Sequence, residues 1–240
     1  MKLNLYISKS GYCSRRNAVS LIRDGRVTVN TGKVTEPWRE VAVSDDVRVN
    51  GKSVKPEKWV YIIFNKPRGV TTTLDDKFAV KKVCDYIPKK FGRIFPVGRL
   101  DKDSRGLLIM TNDGDLCYRL THPKYEVEKE YRVTVLGSVQ DSMMGSMVKG
   151  IRDQGEELKV RSAQILSRTS NKTVLKIEVC EGKKRHIRRI FESLGFVVAD
   201  LRRVRMANIR IGRIEEGGYR IVDRHDIYKM AHIPEIKHMS

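Results

Sequence analysis

The chain has 240 residues, 40% of them hydrophobic, and a formal net charge of +19. That length suits two unequal domains with a real core, and that charge calls for a polyanionic partner, nucleic acid ahead of an anionic membrane. No apolar run approaches the roughly 18 residues of a spanning helix, Met1-Lys2-Leu3-Asn4-Leu5-Tyr6 lacks a signal-peptide core, and the cysteines at 13, 84, 117 and 180 stand singly without a CxxC pair. The expectation is a cytosolic protein with reduced, mostly buried cysteines, no disulfide framework and no zinc site.

The first 55 residues or so form a basic unit. Leu3, Tyr6 and Ile7 predict a short helix that stops at Gly11. Ser14 is a candidate cap for a second helix carrying Ala18, Leu21 and Ile22 at i, i+3 and i+4, with Gly25 just past its end. Val27 and Val29 then lead into a turn at Asn30-Thr31-Gly32, and Val47 and Val49 into Asn50-Gly51, a strong hairpin signal. Arg15, Arg16, Arg23 and Arg26 fall in and after the capped helix, where cations can meet phosphate oxygens; any one of them alone reads as a solvated helix face. Pro56-Glu57-Lys58 reads as a hinge, which sets domains at 1–57 and 58–240.

Tyr61-Ile62-Ile63-Phe64 begins a buried strand that runs into an Asn65-Lys66-Pro67-Arg68-Gly69 turn. Residues 80–91 predict a helix interrupted by Pro88. The string from Gly98 to Gly114 follows, GRLDKDSRGLLIMTNDG, in which Leu107 to Met110 form a short buried strand before the turn signal Asn112-Asp113-Gly114. A loop feeding such a strand is a rigid mount for a carboxylate such as Asp101, although Asp101, Asp103 and Ser104 also serve as turn residues. A short helix over 115–120 ends before Pro123. Alternation over Glu128 to Val135 puts Tyr131, Val133 and Val135 on one strand face; by pattern alone Tyr131 is a core tyrosine. Residues 138–170 show no clear pattern.

Gly182-Lys183-Lys184-Arg185-His186-Ile187-Arg188-Arg189-Ile190-Phe191 is the densest cationic run; Lys183 to Arg213 holds 10 Lys/Arg against 2 acids. A helix over 184–194 gives an apolar stripe of Ile187, Ile190, Phe191 and Leu194 with Arg188 beside it and Arg185 and Arg189 farther round. Lys183, Lys184 and Arg189 also fit a generic phosphate-binding patch. Alternating segments over 201–214 and 219–222 suggest returning strands, and 223–231 a last helix. Isolated histidines without HExxH spacing, and Gly182-Lys183 without an upstream phosphate-loop glycine, imply no metal and no cofactor.

Three of these segments together resemble one family. The Gly98 to Gly114 string resembles the catalytic motif of RNA pseudouridine synthases, in which an aspartate between Arg-Leu and a Ser/Thr-Gly-Leu-Leu run attacks the target uridine; the Asn-Lys-Pro turn and the Lys-x-Tyr of Lys129-Glu130-Tyr131 resemble it too. The N-terminal order, with Gly11-Tyr12-Cys13-Ser14-Arg15-Arg16 and Gly25-Arg26-Val27-Thr28-Val29-Asn30, resembles the small RNA-binding module named after ribosomal protein S-four. The resemblance implies an α+β protein, an S-four-like domain followed by a catalytic domain with a mixed, largely antiparallel sheet and flanking helices. It implies Asp101 as nucleophile, Tyr131 against the flipped base, Arg188 paired with the aspartate, and Arg99 among the RNA contacts with Arg15, Arg16, Arg23, Arg26, Lys183, Lys184, Arg185 and Arg189. Position 186, usually Gln in the family, is His here.

The Gly-Arg-Leu-Asp-Lys-Asp-Ser form most resembles the large-subunit ribosomal RNA enzymes, notably the F type. The expected partner is therefore ribosomal RNA, free or in an assembly intermediate, with transfer RNA or small-subunit ribosomal RNA as alternatives, and the expected state a monomer without a membrane. The competing class is a non-catalytic RNA-binding assembly factor. It accounts for the charge and leaves Asp101, Tyr131 and Arg188 unexplained.

Overall fold

A computed structural model describes residues 1–74 and 78–234. They fall into two compact units, one of Met1–Trp59 with Lys89–Ile94 and one of Val60–Pro88 with the chain from Phe95 onward. In the first, α1 (Leu3–Lys9) and α2 (Arg15–Arg23) share one core with β1 (Val27–Val29), β2 (Gly32–Val34) and β3 (Val47–Val49), which with β4 (Lys52–Ser53) form an antiparallel sheet ordered β2-β1-β3-β4. Ser14 Oγ accepts from the Asn17 N–H at 3.1 Å, so the predicted cap starts α2. Both hairpins turn on positive-φ pairs, Asn30 and Thr31 in one and Asn50 and Gly51 in the other, the geometry that matches strand twist. Pro56-Glu57-Lys58 stays with this unit, since the Glu57 N–H donates to the Lys9 carbonyl at 2.9 Å.

The second unit is built on one mixed sheet. Its strands are β5 (Tyr61–Lys66), β6 (Phe95–Pro96), β7 (Arg105–Thr111), β8 (Lys129–Leu136), then, past the small hairpin of β9 (Ile151–Asp153) and β10 (Glu156–Leu158), β11 (Ser162–Arg168), β12 (Lys172–Val179), β13 (Val198–Met206), β14 (Ile209–Arg210) and β15 (Tyr219–Val222). The order is β11-β12-β8-β13-β7-β5-β15, with β6 on β7 and β14 on β13; every pairing is antiparallel except β7 with β13. The backbones of β7 and β13 approach closely at Gly106. Its φ is +104°, and a Cβ there would lie 2.3 Å from the Arg203 carbonyl, so only glycine serves. Among the described residues four α-helices complete the unit, α3 (Gly114–Thr121), α4 (Ser142–Lys149), α5 (His186–Ser193) and α6 (Arg224–Ala231).

Asp113 ties three of these elements together. One carboxylate oxygen caps α3, accepting from Asp115 and Leu116 N–H at 3.0 and 3.2 Å, and the other accepts from the buried hydroxyls of Tyr61 on β5 and Tyr228 on α6 at 2.8 and 2.7 Å. Burial and the neighbouring carboxylate push both phenols well up, so they remain donors.

The helix expected over 80–91 is instead two single 3₁₀ turns, Val83–Tyr86 and Lys89–Phe91, which fall in different units. Lys82 is extended and bridges to Thr71, and Val83 is the one buried residue of the two turns, so no apolar stripe exists to hold a helix. The four cysteines are free but half-buried, more exposed than expected. Among the described residues no helix is long and apolar enough to cross a membrane.

Candidate active site

The loop from Gly98 to Ser104 enters β7 along the edge of a small cleft of about 120 Å³, lined by Asp101, Tyr131 and the segment from Glu181 to Ile187. Strand register brings the distant residues together. Arg203 of β13 pairs with Gly106 on one side and Tyr131 on the other, so Tyr131 lies two strands from Gly106 at the same level of the sheet. Tyr131 is only 9% exposed and shares its face with Val133 and Val135, as the alternation predicts. Its hydroxyl takes no hydrogen bond from the described residues. Asp101 is half-buried, and no hydrogen bond or ion pair from a described residue reaches its carboxylate. The cleft therefore holds an uncommitted carboxylate and an uncommitted phenol.

What holds the Asp101 loop is a lysine that the sequence marked only as part of a turn. Lys66 is wholly buried at the end of β5, and its ammonium donates to the carbonyls of Pro67, Asp101, Lys102 and Ser104 at 3.1, 3.1, 3.4 and 2.6 Å. Burial pushes its pKa down to about 8, with Asp101 and Asp103 opposing that shift. Thr72 Oγ1 donates to the Leu100 carbonyl at 2.7 Å, and the Gly69 N–H to the Lys102 carbonyl at 2.8 Å. The carbonyls of Leu100, Asp101, Lys102 and Ser104 are thus engaged by groups outside the loop, and the Asp101 side chain lines the cleft.

A second buried lysine does the same for the opposite wall. Lys129, the lysine of the Lys-x-Tyr segment, donates to the carbonyls of Val127 and Cys180 at 2.9 and 3.0 Å, fixing the chain just before Glu181-Gly182-Lys183. Burial and then the nearby Arg203 push its pKa down to about 8. Both lysines end otherwise apolar strand faces. That position was a signal available in the sequence, since a lysine in phase with a buried stripe needs partners of its own.

Arg188 lies near the loop in a different manner from the expected pairing. It is buried on α5 and donates to the carbonyls of Asp103 and Val198, both at 3.1 Å, rather than to the Asp101 carboxylate. Burial pushes its pKa down, with Arg185 adding to the effect, while Asp103 and Asp101 oppose it. Its Nη1 and Nη2 are thus turned to main-chain oxygens, its buried Nε has no hydrogen-bond partner among the described residues, and the Asp101 carboxylate acts on it through charge alone.

The remaining candidates divide by commitment. Lys184 and Arg99 are exposed on the cleft wall without ion pairs to described residues. Lys183 reaches the Glu157 carbonyl at 2.6 Å and Glu181 at 3.3 Å, and Arg185 pairs with Glu192 at 2.7 Å. Arg189 does not fit a phosphate patch, because it is held by Asp153 at 2.5 Å and Glu156 at 2.6 Å, locking the β9-β10 hairpin to α5. His186 lines the cleft but is buried, and burial holds its imidazole below the ordinary histidine range, hence neutral. In the first unit Arg15, Arg16, Arg23 and Arg26 are all exposed. Of the four, Arg26 alone has a polar partner among the described residues, donating to Asn50 at 2.7 Å.

Comparison with known proteins gives the family. The family model described as RNA pseudouridylate synthase matches residues 60–193, and the S4 domain model matches 1–47. The chain belongs to the RNA pseudouridine synthase family. It is 36% identical to ribosomal large subunit pseudouridine synthase B of Bacillus subtilis over 95% of both chains. It is also 36% identical to the dual-specificity RNA pseudouridine synthase RluF of Salmonella typhi, over 91% of this chain and 74% of that one. A solved pseudouridylate synthase superposes with a TM-score of 0.65 at 26% identity, over 96% of this chain and 99% of the other. The synthase thus has an S4 domain, a mixed-sheet catalytic domain and RNA as substrate.

Proposed function

We propose that this synthase isomerises a uridine of large-subunit ribosomal RNA in the cytoplasm, as a monomer, with Asp101 as the reacting carboxylate. The observation that carries the assignment is the shared cleft: Asp101 and Tyr131 open onto it with no hydrogen bond from a described residue to carboxylate or hydroxyl, while Lys66 holds the loop of the one and the strands on either side hold the other. The reaction breaks the N1–C1′ bond, turns the uracil and rejoins it through C5. An ionised Asp101 either attacks C1′ and is displaced again when C5 bonds to that carbon, or takes the C2′ proton and returns it as C5 bonds; in both routes release of the C5 proton with protonation of N1 completes the balance.

Tyr131 is suited to hold the base, since an aromatic face on a rigid strand stacks on an uracil flipped out of its helix. Lys66, Lys129 and Arg188 are positioning residues, acting through backbone carbonyls. The exposed Lys184 and Arg99 are suited to the phosphates beside the flipped nucleotide. Identity to relatives named for large-subunit ribosomal RNA supports that substrate. The test is to map pseudouridine in deproteinised large-subunit ribosomal RNA, small-subunit ribosomal RNA and transfer RNA incubated with the protein. New pseudouridine confined to the last two would reassign the substrate, and none in any would return the chain to a binding role.

A further inference from the structure

Beside the catalytic cleft runs a larger groove of about 700 Å³, and Glu181, Gly182 and Lys183 line both, so the two are continuous. Thr121, Pro123 and Glu126, from the end of α3 and the turn that follows it, line one side of this groove. Thr121 packs against the start of the Asp101 loop, where a Cβ at Gly98 would lie 3.4 Å from the threonine methyl. On the same helix and turn stand three aromatic rings, Tyr118, His122 and Tyr125, with centroids 4.8, 5.7 and 6.4 Å apart. Both tyrosines are on the surface, 44% and 39% exposed, in contrast to the buried Tyr61 and Tyr228 of the same unit.

The cluster is a built feature. His122 Nδ1 accepts from the Lys124 N–H at 3.2 Å, Pro123 follows it, and Glu126 closes the turn with a left-handed backbone. Lys124 places its ammonium 5.2 Å from the Tyr118 ring centre and 4.7 Å from that of Tyr125. Such a cation braces both rings and supplies positive charge at the rim. The groove lining adds Lys159, and Arg161 beside it is held by Glu128 at 2.8 Å. Rigid exposed aromatics beside cations are what an unpaired nucleotide binds, because every base has a face to stack and a phosphate to neutralise.

We propose that Tyr118, His122 and Tyr125, with Lys124, form a stacking platform for an unpaired RNA base flanking the target nucleotide, the intervening backbone lying along the groove. The proposal rests on RNA being the substrate of the adjacent cleft. It extends the contact surface beyond the reacting uridine and selects for targets next to unpaired residues.

The test compares the full-length wild type with Tyr118→Ala/Tyr125→Ala and Tyr118→Phe/Tyr125→Phe on two probes, oligouridine and a blunt RNA duplex. Loss of stacking should weaken oligouridine binding by about fivefold or more in the alanine variant. Duplex binding should stay within twofold, and the phenylalanine variant should bind as wild type. With ribosomal RNA the alanine variant should raise KM by a similar factor and leave the single-turnover rate at saturation nearly unchanged. Photocrosslinking of 4-thiouridine RNA should label the 118–125 segment. Unchanged oligouridine affinity in the alanine variant overturns the platform and leaves the surface to a protein partner; equal losses on both probes, or in the phenylalanine variant, overturn stacking as its mode. Binding is read without turnover, so failure of the isomerisation assignment leaves this result legible.

Discussion

Two sets of cations in this chain are alike in composition and opposite in use. Lys66, Lys129 and Arg188 are buried beneath the cleft and direct their N–H groups at main-chain carbonyls of the loops above them. Arg15, Arg16 and Arg23 stand exposed on one short helix without ion pairs to described residues. A buried ammonium is tolerable only when its donors are met, and carbonyls meet them without neutralising the charge. The interior set therefore gives shape to the loops of the cleft, whereas the surface set stands open to a polyanion. The net charge of +19 conceals this division.

The sharpest way to break the comparison is to separate turnover from binding. Asp101→Asn keeps the size of the side chain and leaves the loop carbonyls on Lys66, so pseudouridine formation should fall by at least about a thousandfold, the scale of losing a reacting group, with RNA affinity intact. Substantial product from this variant would remove Asp101 from the chemistry. At Tyr131 the expected loss is smaller and graded. Tyr131→Phe should keep stacking and most of the rate, and Tyr131→Ala should lose most of it; near-normal rates for both would make Tyr131 an ordinary core residue.

Lys66→Met tests the interior set directly. It strands several buried carbonyls, at a cost of about 2–4 kcal/mol, and should lower turnover more than RNA affinity. The pH dependence has a defined sign. The folded-state pKa is about 8 against an ordinary 10.5, so below pH 8 both states hold the proton, and between 8 and 10.5 the unfolded chain binds more. The unfolding free energy of the wild type relative to Lys66→Met should therefore rise with pH from 8 to 10.5, and the burial-related contribution should be lost as pH falls through 8. The titration of Lys129 is common to both proteins and cancels. A difference that is flat with pH would mean that Lys66 keeps its proton throughout.

The sequence made the linear features legible and left the contacts between them hidden. Ser14, Asn50-Gly51 and the alternation around Tyr131 carry local rules, and the elements form where those rules place them. Residues 138–170 did not, because α4 buries Met147 alone and β9 and β10 are held by Arg189 and its acids rather than by an apolar pattern. The helix expected over 80–91 failed for want of a buried stripe. At the site, motif order brought out Asp101 and Tyr131, whereas the true partners of Lys66 and Arg188 are main-chain carbonyls, which any sequence supplies equally. That is why an Arg188-to-Asp101 pair looked natural and an Arg188-to-Asp103 carbonyl bond did not.

The exposed set can be sharpened by neutralising Arg15, Arg16 and Arg23 together to alanine. Truncating the first 55 residues is a poorer experiment, since Lys89–Ile94 belong to that unit and would be stripped of their packing. Each phosphate that is no longer neutralised should make the log–log salt dependence of RNA binding shallower by roughly 0.7 to 0.9, with the rate at saturating RNA preserved. An unchanged slope would make these arginines a solvated helix face.

The smallest effects come from two neighbours in the cationic run, and they bear most directly on how such a run should be read. Lys184→Met removes a free cation from the cleft wall, so it should reduce the salt slope by roughly one phosphate's share and leave thermal stability unchanged. Arg189→Met removes a cation already held by Asp153 and Glu156, so it should lower the melting temperature, free the β9-β10 hairpin to faster amide exchange and leave the slope alone. Close together in sequence, the two substitutions delete the same formal charge. If Arg189→Met weakened RNA binding as much as Lys184→Met, total charge rather than uncommitted charge would govern affinity, and the distinction between the two sets of cations would fall with it.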